Sequence, residues 1–265
     1  MVAACVGIFL IFGLISYEPK SYSDYLMDMR TGGSARRWHA AFELSKKLSH
    51  QQDIRPASKP VSMEPGFVQS LLALYEQSKH DDPRLREYLA LCLGYVQGPG
   101  VRAALVESLS DVDPVLRFYA VWSLAVQRDT DCLPRLLDML AKEDNELRKV
   151  IAYSLGVLGD KRALPALKEE LNDSQPDIQW NAALALARFQ DAAGLAILLK
   201  MLDRDYLNQI SGMNEKQKES AMINAIKAQA FLRDTSLTNK IETLSKQDSN
   251  LKVREAALQM LKTKS

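Results

Sequence analysis

Leucine recurs at Leu93, Leu124, Leu155 and Leu186, 31 residues apart, and a polar slot keeps step with it at Arg86, Arg117, Arg148 and Gln179. The segments that carry this pattern read DPRLREYLALCLG from Asp82, DPVLRFYAVWSLA from Asp113, DNELRKVIAYSLG from Asp144 and QPDIQWNAALALA from Gln175. Inside each, the apolar positions are spaced by three and four: Leu85, Leu89 and Ala90; Leu116, Ala120 and Val121; Leu147, Ile151 and Ala152; Ile178, Ala182 and Ala183. That spacing lays them along one stripe of a helix. A pattern repeated at this interval predicts a solenoid, in which one supersecondary unit stacks on copies of itself.

The ends of the helices are also written in the repeat. Asp82, Asp113 and Asp144 stand where an N-cap carboxylate would accept a bond from the first free amides. Pro83, Pro114 and Pro176 follow at the first helical position, where a missing N–H costs nothing. Small residues, Gly94, Ala125, Gly156 and Ala187, follow the leucine and allow helices to approach or end. Gly98, Asp129, Asp160 and Asp191 come next at the same interval, and the three aspartates are candidate caps of a second helix. Leu133, Leu136, Leu137 and Leu140 line that helix in one copy, and Leu164, Leu167 and Leu171 in the next. Each unit is therefore expected to be helix A, a short turn and helix B.

The pattern Asp-Pro-x-(Leu/Val)-Arg-x-x-Ala-Ala-x-x-Leu-Gly followed by Gly-Asp-x-x-Ala-Leu-Pro-x-Leu resembles the HEAT-like repeats of the bilin-lyase type. LRKVIAYSLGVLGDKRALPALKEEL, Leu147 to Leu171, is the best copy. The resemblance covers most of the chain after about residue 33; it implies an α-solenoid used as a scaffold and carries over no catalytic residue. Weaker units flank the clear ones. GSARRWHAAFEL, Gly33 to Leu44, places Arg37 in the arginine slot, with a partner helix expected over Gly66 to Lys79 and a Pro-rich loop, Gln51 to Pro65, between them. Lys218 to Ala225 starts a further helix A, Ile241 to Lys246 its helix B, and Val253 to Leu261 a last helix A. Asp203 to Lys216 breaks the spacing and reads as a surface loop or an extra turn of helix.

Residues 2–17, VAACVGIFLIFGLISY, are of another kind. They carry no charge and would span roughly 24 Å as a helix, against a hydrocarbon core of roughly 30 Å. A membrane anchor is the leading expectation; a secretory signal peptide and a mis-assigned start compete with it. Lys20, Arg30, Arg36, Arg37, Lys46 and Lys47 all follow the span, which places the remainder on the cytoplasmic side of a single-pass inner-membrane protein. The fold expectation is thus all-α: a transmembrane helix in 1–18, a linker over 19–32, and an α-solenoid of about six antiparallel helix pairs over 33–265.

Composition narrows the function. With 34 Lys+Arg against 33 Asp+Glu there is no basic excess of the kind nucleic-acid binders carry. Cys5, Cys92 and Cys132 form no CxxC pair, so neither a disulfide framework nor a zinc site is expected. His39, His50 and His80 sit in no HExxH, and no His-Glu dipeptide occurs, which removes the iron-carrying pairs of the HEAT-repeat hydroxylase of similar architecture. No GxSxG, Walker loop or GxGxxG is present. No cofactor and no small-molecule substrate are expected.

Three features remain as candidate sites. The column Arg37, Arg86, Arg117, Arg148 and Arg254 reads either as an anion-binding groove or as a structural set. In the structural reading each arginine bonds an aspartate or carbonyl of its own or a neighbouring repeat, with Asp82–Arg86, Asp113–Arg117 and Asp144–Arg148 at pairing distance on a helix. Tyr88, Phe118, Tyr119, Trp122, Tyr153 and Trp180 concentrate in the A helices. They read as inter-helix packing or, for Tyr88, Phe118, Tyr119, Trp122 and Trp180, as a partner-binding patch. Gly32-Gly33 reads as a flexible joint or a phosphate cradle beside Arg36 and Arg37. The leading function is a non-catalytic, membrane-anchored scaffold or accessory subunit that binds a protein of a membrane complex. A lyase or isomerase acting on a bound chromophore, by analogy with the bilin lyases, is the alternative. A helical-repeat DNA glycosylase is disfavoured by the neutral charge.

Overall fold

A computed structural model describes residues 20–54 and 63–262, which hold fifteen α-helices and no strand. The apolar 2–17 segment lies outside the described residues. Among the described residues no helix is long and apolar enough to cross a membrane. The chain divides into two compact units, Met1–Val101 and Arg102–Ser265.

The first unit holds α1 (Tyr22–Thr31), α2 (Ser34–Ile54), α3 (Phe67–Gln77) and α4 (Pro83–Leu93). The stretch expected to be a linker, 19–32, thus contains a helix. Its cause is local: Ser21 accepts from the Asp24 amide and Asp24 reaches back to the Ser21 amide, a reciprocal cap that satisfies two free donors. Leu26 and Met29 turn this helix inward against α2. Gly32 ends α1, and a Cβ there would stand 2.6 Å from the Asp28 oxygen, so Gly32-Gly33 is a tight joint between two packed helices. Helix α2 continues to Ile54, past the point where the loop was expected to begin.

The second unit holds α5 (Val101–Ser108) and then the repeats: α6 (Pro114–Val126) with α7 (Leu133–Lys142), α8 (Asn145–Leu158) with α9 (Leu164–Glu170), and α10 (Pro176–Arg188) with α11 (Leu195–Met201). The A helices stack in order, α6 on α8 and α8 on α10. The slot leucines Leu124, Leu155 and Leu186 are fully buried at these contacts, as is Leu93 in the first unit. Gly156 permits the closest approach; a Cβ added there would lie 2.6 Å from the Ala185 Cα.

The turn between A and B is built identically each time. Arg128, Gly159 and Gln190, 31 residues apart, take a left-handed backbone (φ 56, 77 and 60°) that reverses the chain. Asp129, Asp160 and Asp191 then accept from the amides of Asp131, Arg162 and Ala193. What each aspartate caps is a single 3-10 turn, Thr130–Cys132, Lys161–Ala163 or Ala192–Gly194, that runs directly into helix B.

The break in the repeat follows α11. Asp203–Lys216 forms α12 (Arg204–Gln209), capped by Asp203, and a turn through Gly212 at φ 78°. Then come α13 (Glu215–Leu232), α14 (Thr235–Gln247) and a final α15 (Leu251–Lys262). Arg204 fixes the insertion to the unit's end by gripping the Asp248 carboxylate with two bonds of 2.6 and 2.8 Å. The Asp248 side chain is 1% exposed, so the carboxylate is desolvated and is held by two parallel bonds from the partly exposed guanidinium.

Candidate interaction surface

The arginine column is a set of tethers between successive elements. Arg37 donates to the Met29 carbonyl at the end of α1 (3.0 Å) and Arg148 to the Leu140 carbonyl near the end of α7 (3.0 Å). Arg117 reaches the Asp111 carbonyl (2.9 Å) beyond α5, and Arg254 the Asp248 carbonyl (2.6 Å) beyond α14. Gln179, in the same slot, reaches the Asp173 carbonyl at 2.6 Å. Each side chain therefore serves carbonyls left without an intrahelical partner at the close of the preceding helix, where positive charge is also favoured.

The expected ion pairs within each helix are not the ones formed. Asp113 and Asp144 turn to the amides of Val115 and Leu147 as N-caps, as Asp82 turns to Leu85. The carboxylates that meet the arginines come from later in the chain: Glu143 for Arg117 (3.3 Å), Glu170 and Asp173 for Arg148 (2.7 and 2.6 Å). An N-cap carboxylate is already committed to amides, which explains the exchange of partners. Burial weakens the Arg148 cation, but Asp173 and Glu170 outweigh it and hold its pKa above the ordinary arginine value. In the first unit Arg37 meets Asp81 and Asp82 (3.3 and 3.5 Å), and Arg86, 6% exposed, lies 4.9 Å from the Tyr75 ring centre. With its members committed to carbonyls, carboxylates and a ring, the column is not a groove open to anions.

The aromatic residues separate into an exposed set and a buried one. On α6, Val115 and Phe118 are exposed, Phe118 meets Tyr119 edge-on at 5.5 Å, and Trp122 lies one turn further. Trp122 stacks on Tyr153 of α8, 31 residues on, at 5.6 Å and 16°. Arg188 of α10 donates to the Tyr153 hydroxyl (2.9 Å), covers its ring at 5.2 Å, and covers the exposed Phe231 of α13 at 5.4 Å. An aromatic and cationic ridge thus crosses four A helices of the second unit, joined by contacts from Trp122 through Tyr153 and Arg188 to Phe231. The first unit has a smaller one: Tyr88 meets Trp38 (6.1 Å) and Phe42 (5.4 Å), with Arg84 over Trp38 at 5.1 Å.

Trp180 is a correction. Its slot holds Glu87 and Lys149 in other copies, which groups it with the solvent-facing candidates for partner binding, yet it is 7% exposed. The insertion is the reason. Ile210 and Met213 of the insertion, with Ala221 of α13, join Trp180 in one apolar cluster. Trp38, Phe42, Arg188 and Phe231 were not singled out from sequence. Trp38 and Phe42 could have been found, since they follow Arg37 by one and five places, as Phe118 and Trp122 follow Arg117.

The two described cysteines are not reactive centres. Cys92 donates to the Ala41 carbonyl (3.3 Å), and burial raises its pKa far above that of a free thiol. Burial, reinforced by the Asp129 charge, pushes Cys132 up to about 12. Among the described residues no group of three or more His, Cys, Asp or Glu is placed to hold a metal ion.

The family model described as HEAT repeats matches residues 68–156 and 133–209, together more than half of the chain. The chain belongs to the HEAT-repeat family. No curated protein sequence matches it. Among solved structures, the complex of CpcE and CpcF of phycocyanin lyase from Nostoc sp. PCC7120 is similar to this HEAT-repeat chain with a TM-score of 0.59 at 17% identity, over 94% of this chain and 96% of that one. Human deoxyhypusine hydroxylase in complex with glycerol is matched at 16% identity over 91% and 94% of the two chains, with a TM-score of 0.33. At such identities the first likeness concerns the fold.

Proposed function

We propose that this HEAT-repeat chain is a non-catalytic scaffold or accessory subunit that binds a partner protein of a membrane complex. Its contact surface is the ridge Phe118–Tyr119–Trp122–Tyr153–Arg188–Phe231. The observation that carries this reading is the ridge itself: aromatic side chains and arginine, the residues enriched at interface centres, stand linked and partly exposed on stacked helices. Val112, 94% exposed, and Val115, 44% exposed, extend it at one end. Solvent-facing apolar side chains grouped in this way mark interaction sites. The fold likeness to a lyase made of two associated proteins, CpcE and CpcF, supports a protein as the partner. Residues 2–17 would hold the surface beside the membrane, with the repeats on the cytoplasmic side.

The test is native purification from mild detergent of the full chain and of a Val115→Asp/Phe118→Asp variant. The intact chain should retain a partner and the variant should lose it, with the same thermal midpoint for both. A chain that purifies alone in both forms sinks the proposal. Bound tetrapyrrole after co-expression would replace it by the chromophore-lyase reading. Deletion of residues 2–17 should move the protein to the soluble fraction.

A further inference from the structure

The aromatic ridge is bordered by cations. Arg128 follows α6, Arg188 ends α10, Lys227 stands one turn before Phe231 on α13, and Arg233 is the left-handed cap of α13; all four are exposed. Arg188 covers the Tyr153 and Phe231 rings. Arg128 reaches across to the end of α8, its guanidinium 3.8 Å from where a Cβ on Gly159 would stand. The nearby carboxylates are engaged elsewhere. Asp129, Asp160 and Asp191 meet Arg102, Arg162 and Lys168 at 2.7, 2.6 and 2.7 Å. Glu146 and Asp177 meet Lys149 at 2.8 and 3.4 Å. Among the described residues none of the four bordering cations is paired with a carboxylate. The whole chain is nearly balanced, 34 Lys+Arg against 33 Asp+Glu, so this excess of positive charge belongs to the ridge and not to the protein at large.

That border selects the chemistry of what lies on the ridge. A guanidinium laid over rings keeps its in-plane N–H donors for a carboxylate, so Arg188 offers them at the middle of the ridge. Val112, Val115 and Phe118 supply apolar contact at one end. Trp122 and Tyr153 are stacked and half-buried, a platform for a chain laid across them and not wedges that enter an acyl layer. We propose that the ridge receives an acidic segment of the partner protein, with aromatic or aliphatic side chains on Val115, Phe118 and Trp122 and carboxylates at Arg128, Arg188, Lys227 and Arg233. The proposal rests on the reading of the ridge as the contact surface and adds the class of its occupant. Complementary charge of this kind speeds encounter and rejects basic competitors.

The probe is the fluorescein-labelled peptide acetyl-Glu-Phe-Asp-Glu-Leu-Glu-Asp-Phe-Glu-amide, titrated into the full chain in mild detergent and followed by anisotropy. It should saturate with a dissociation constant of order 100 µM at low salt. Binding should weaken about tenfold between about 0.05 and about 0.5 M salt. The same peptide with Gln and Asn in place of Glu and Asp should bind at least about tenfold more weakly. Arg128→Glu/Lys227→Glu, at exposed positions, should also weaken the acidic peptide about tenfold with an unchanged thermal midpoint. The proposal is overturned if the Gln/Asn peptide binds as tightly as the acidic one, if the double variant binds like the parent, or if nothing saturates by about 2 mM peptide, some twenty times the expected constant. Displacement of the probe by glycerophosphoserine at lower concentrations than by unlabelled peptide would give the ridge to a lipid surface and overturn it too. The native purification separates this proposal from the reading beneath it. A partner that stays with Arg128→Glu/Lys227→Glu but leaves Val115→Asp/Phe118→Asp would keep the contact surface and overturn only its acidic occupant. A chain that purifies alone in every form would overturn both.

Discussion

Arg148 shows why a column of arginines does not make an anion groove. Its donors are divided between the Leu140 carbonyl and the Glu170 and Asp173 carboxylates, so an incoming anion would have to displace three partners. Removing the side chain strands those partners, and the two carboxylate side chains are only 12% exposed. Bonds to charged groups contribute about 1.5–3 kcal/mol each, and solvent at the partly exposed guanidinium reduces the total. Arg148→Ala should therefore lose about 2–3 kcal/mol, read as a lowered urea midpoint with unchanged slope. Gln179→Ala, which removes one neutral bond, should lose about 1 kcal/mol. An Arg148→Ala protein as stable as the parent would contradict the tether and reopen the groove.

At the scale of the helix pair, the same amino acid serves opposite ends. Gly156 lies inside α8 where α10 crosses it, and its missing Cβ is what lets the Ala185 backbone approach. On an exposed helix, Gly→Ala gains about 1 kcal/mol. Here, Gly156→Ala should instead cost about 1–3 kcal/mol, because helix backbones must separate. Gln190 poses the reverse case: it holds the left-handed turn that Gly159 fills in the preceding copy. That conformation costs a non-glycine residue about 1–2 kcal/mol, offset in part by the backbone freedom glycine loses. Gln190→Gly should raise the thermal midpoint slightly and Gly159→Ala should lower it. If both changes move the midpoint the same way, the turn is not what sets these positions. The sequence pattern reached the helices, their caps and the 31-residue step because each follows from local chemistry at a fixed offset. It could not reach the partners of Arg117 and Arg148, nor the burial of Trp180, because those depend on which surface a later helix or the insertion brings to them.

Across the described residues, acidic groups set how the whole responds to pH. Asp160 and Asp191 are held below the ordinary carboxylate range by bonds from Arg162 and Lys168, and Asp138 by Lys142. Ser21 does the same for Asp24, Lys218 for Glu215, and Asn250 with Lys252 for Glu219. Burial presses Asp173 upward, but the Gln175 amide and Arg148 outweigh it. Glu170 alone among these is raised, by burial that the Arg148 charge only partly offsets. A carboxylate whose pKa is lower in the folded state takes up its proton first in the unfolded chain. Its contribution is present above the unfolded value of about 4 and is lost as pH falls through the folded value. Glu170 acts in the other direction: its contribution is complete below the unfolded value and disappears as pH rises through its raised folded value. The lowered groups outnumber it, so the thermal midpoint should fall steadily from about pH 5 to about pH 3. Most of these pairs are exposed and screened by salt, so the fall should be shallower at about 0.5 M salt than at low ionic strength. A midpoint that holds constant or rises over that interval would mean that the helix-end and inter-repeat carboxylates are not ionised partners in the folded chain.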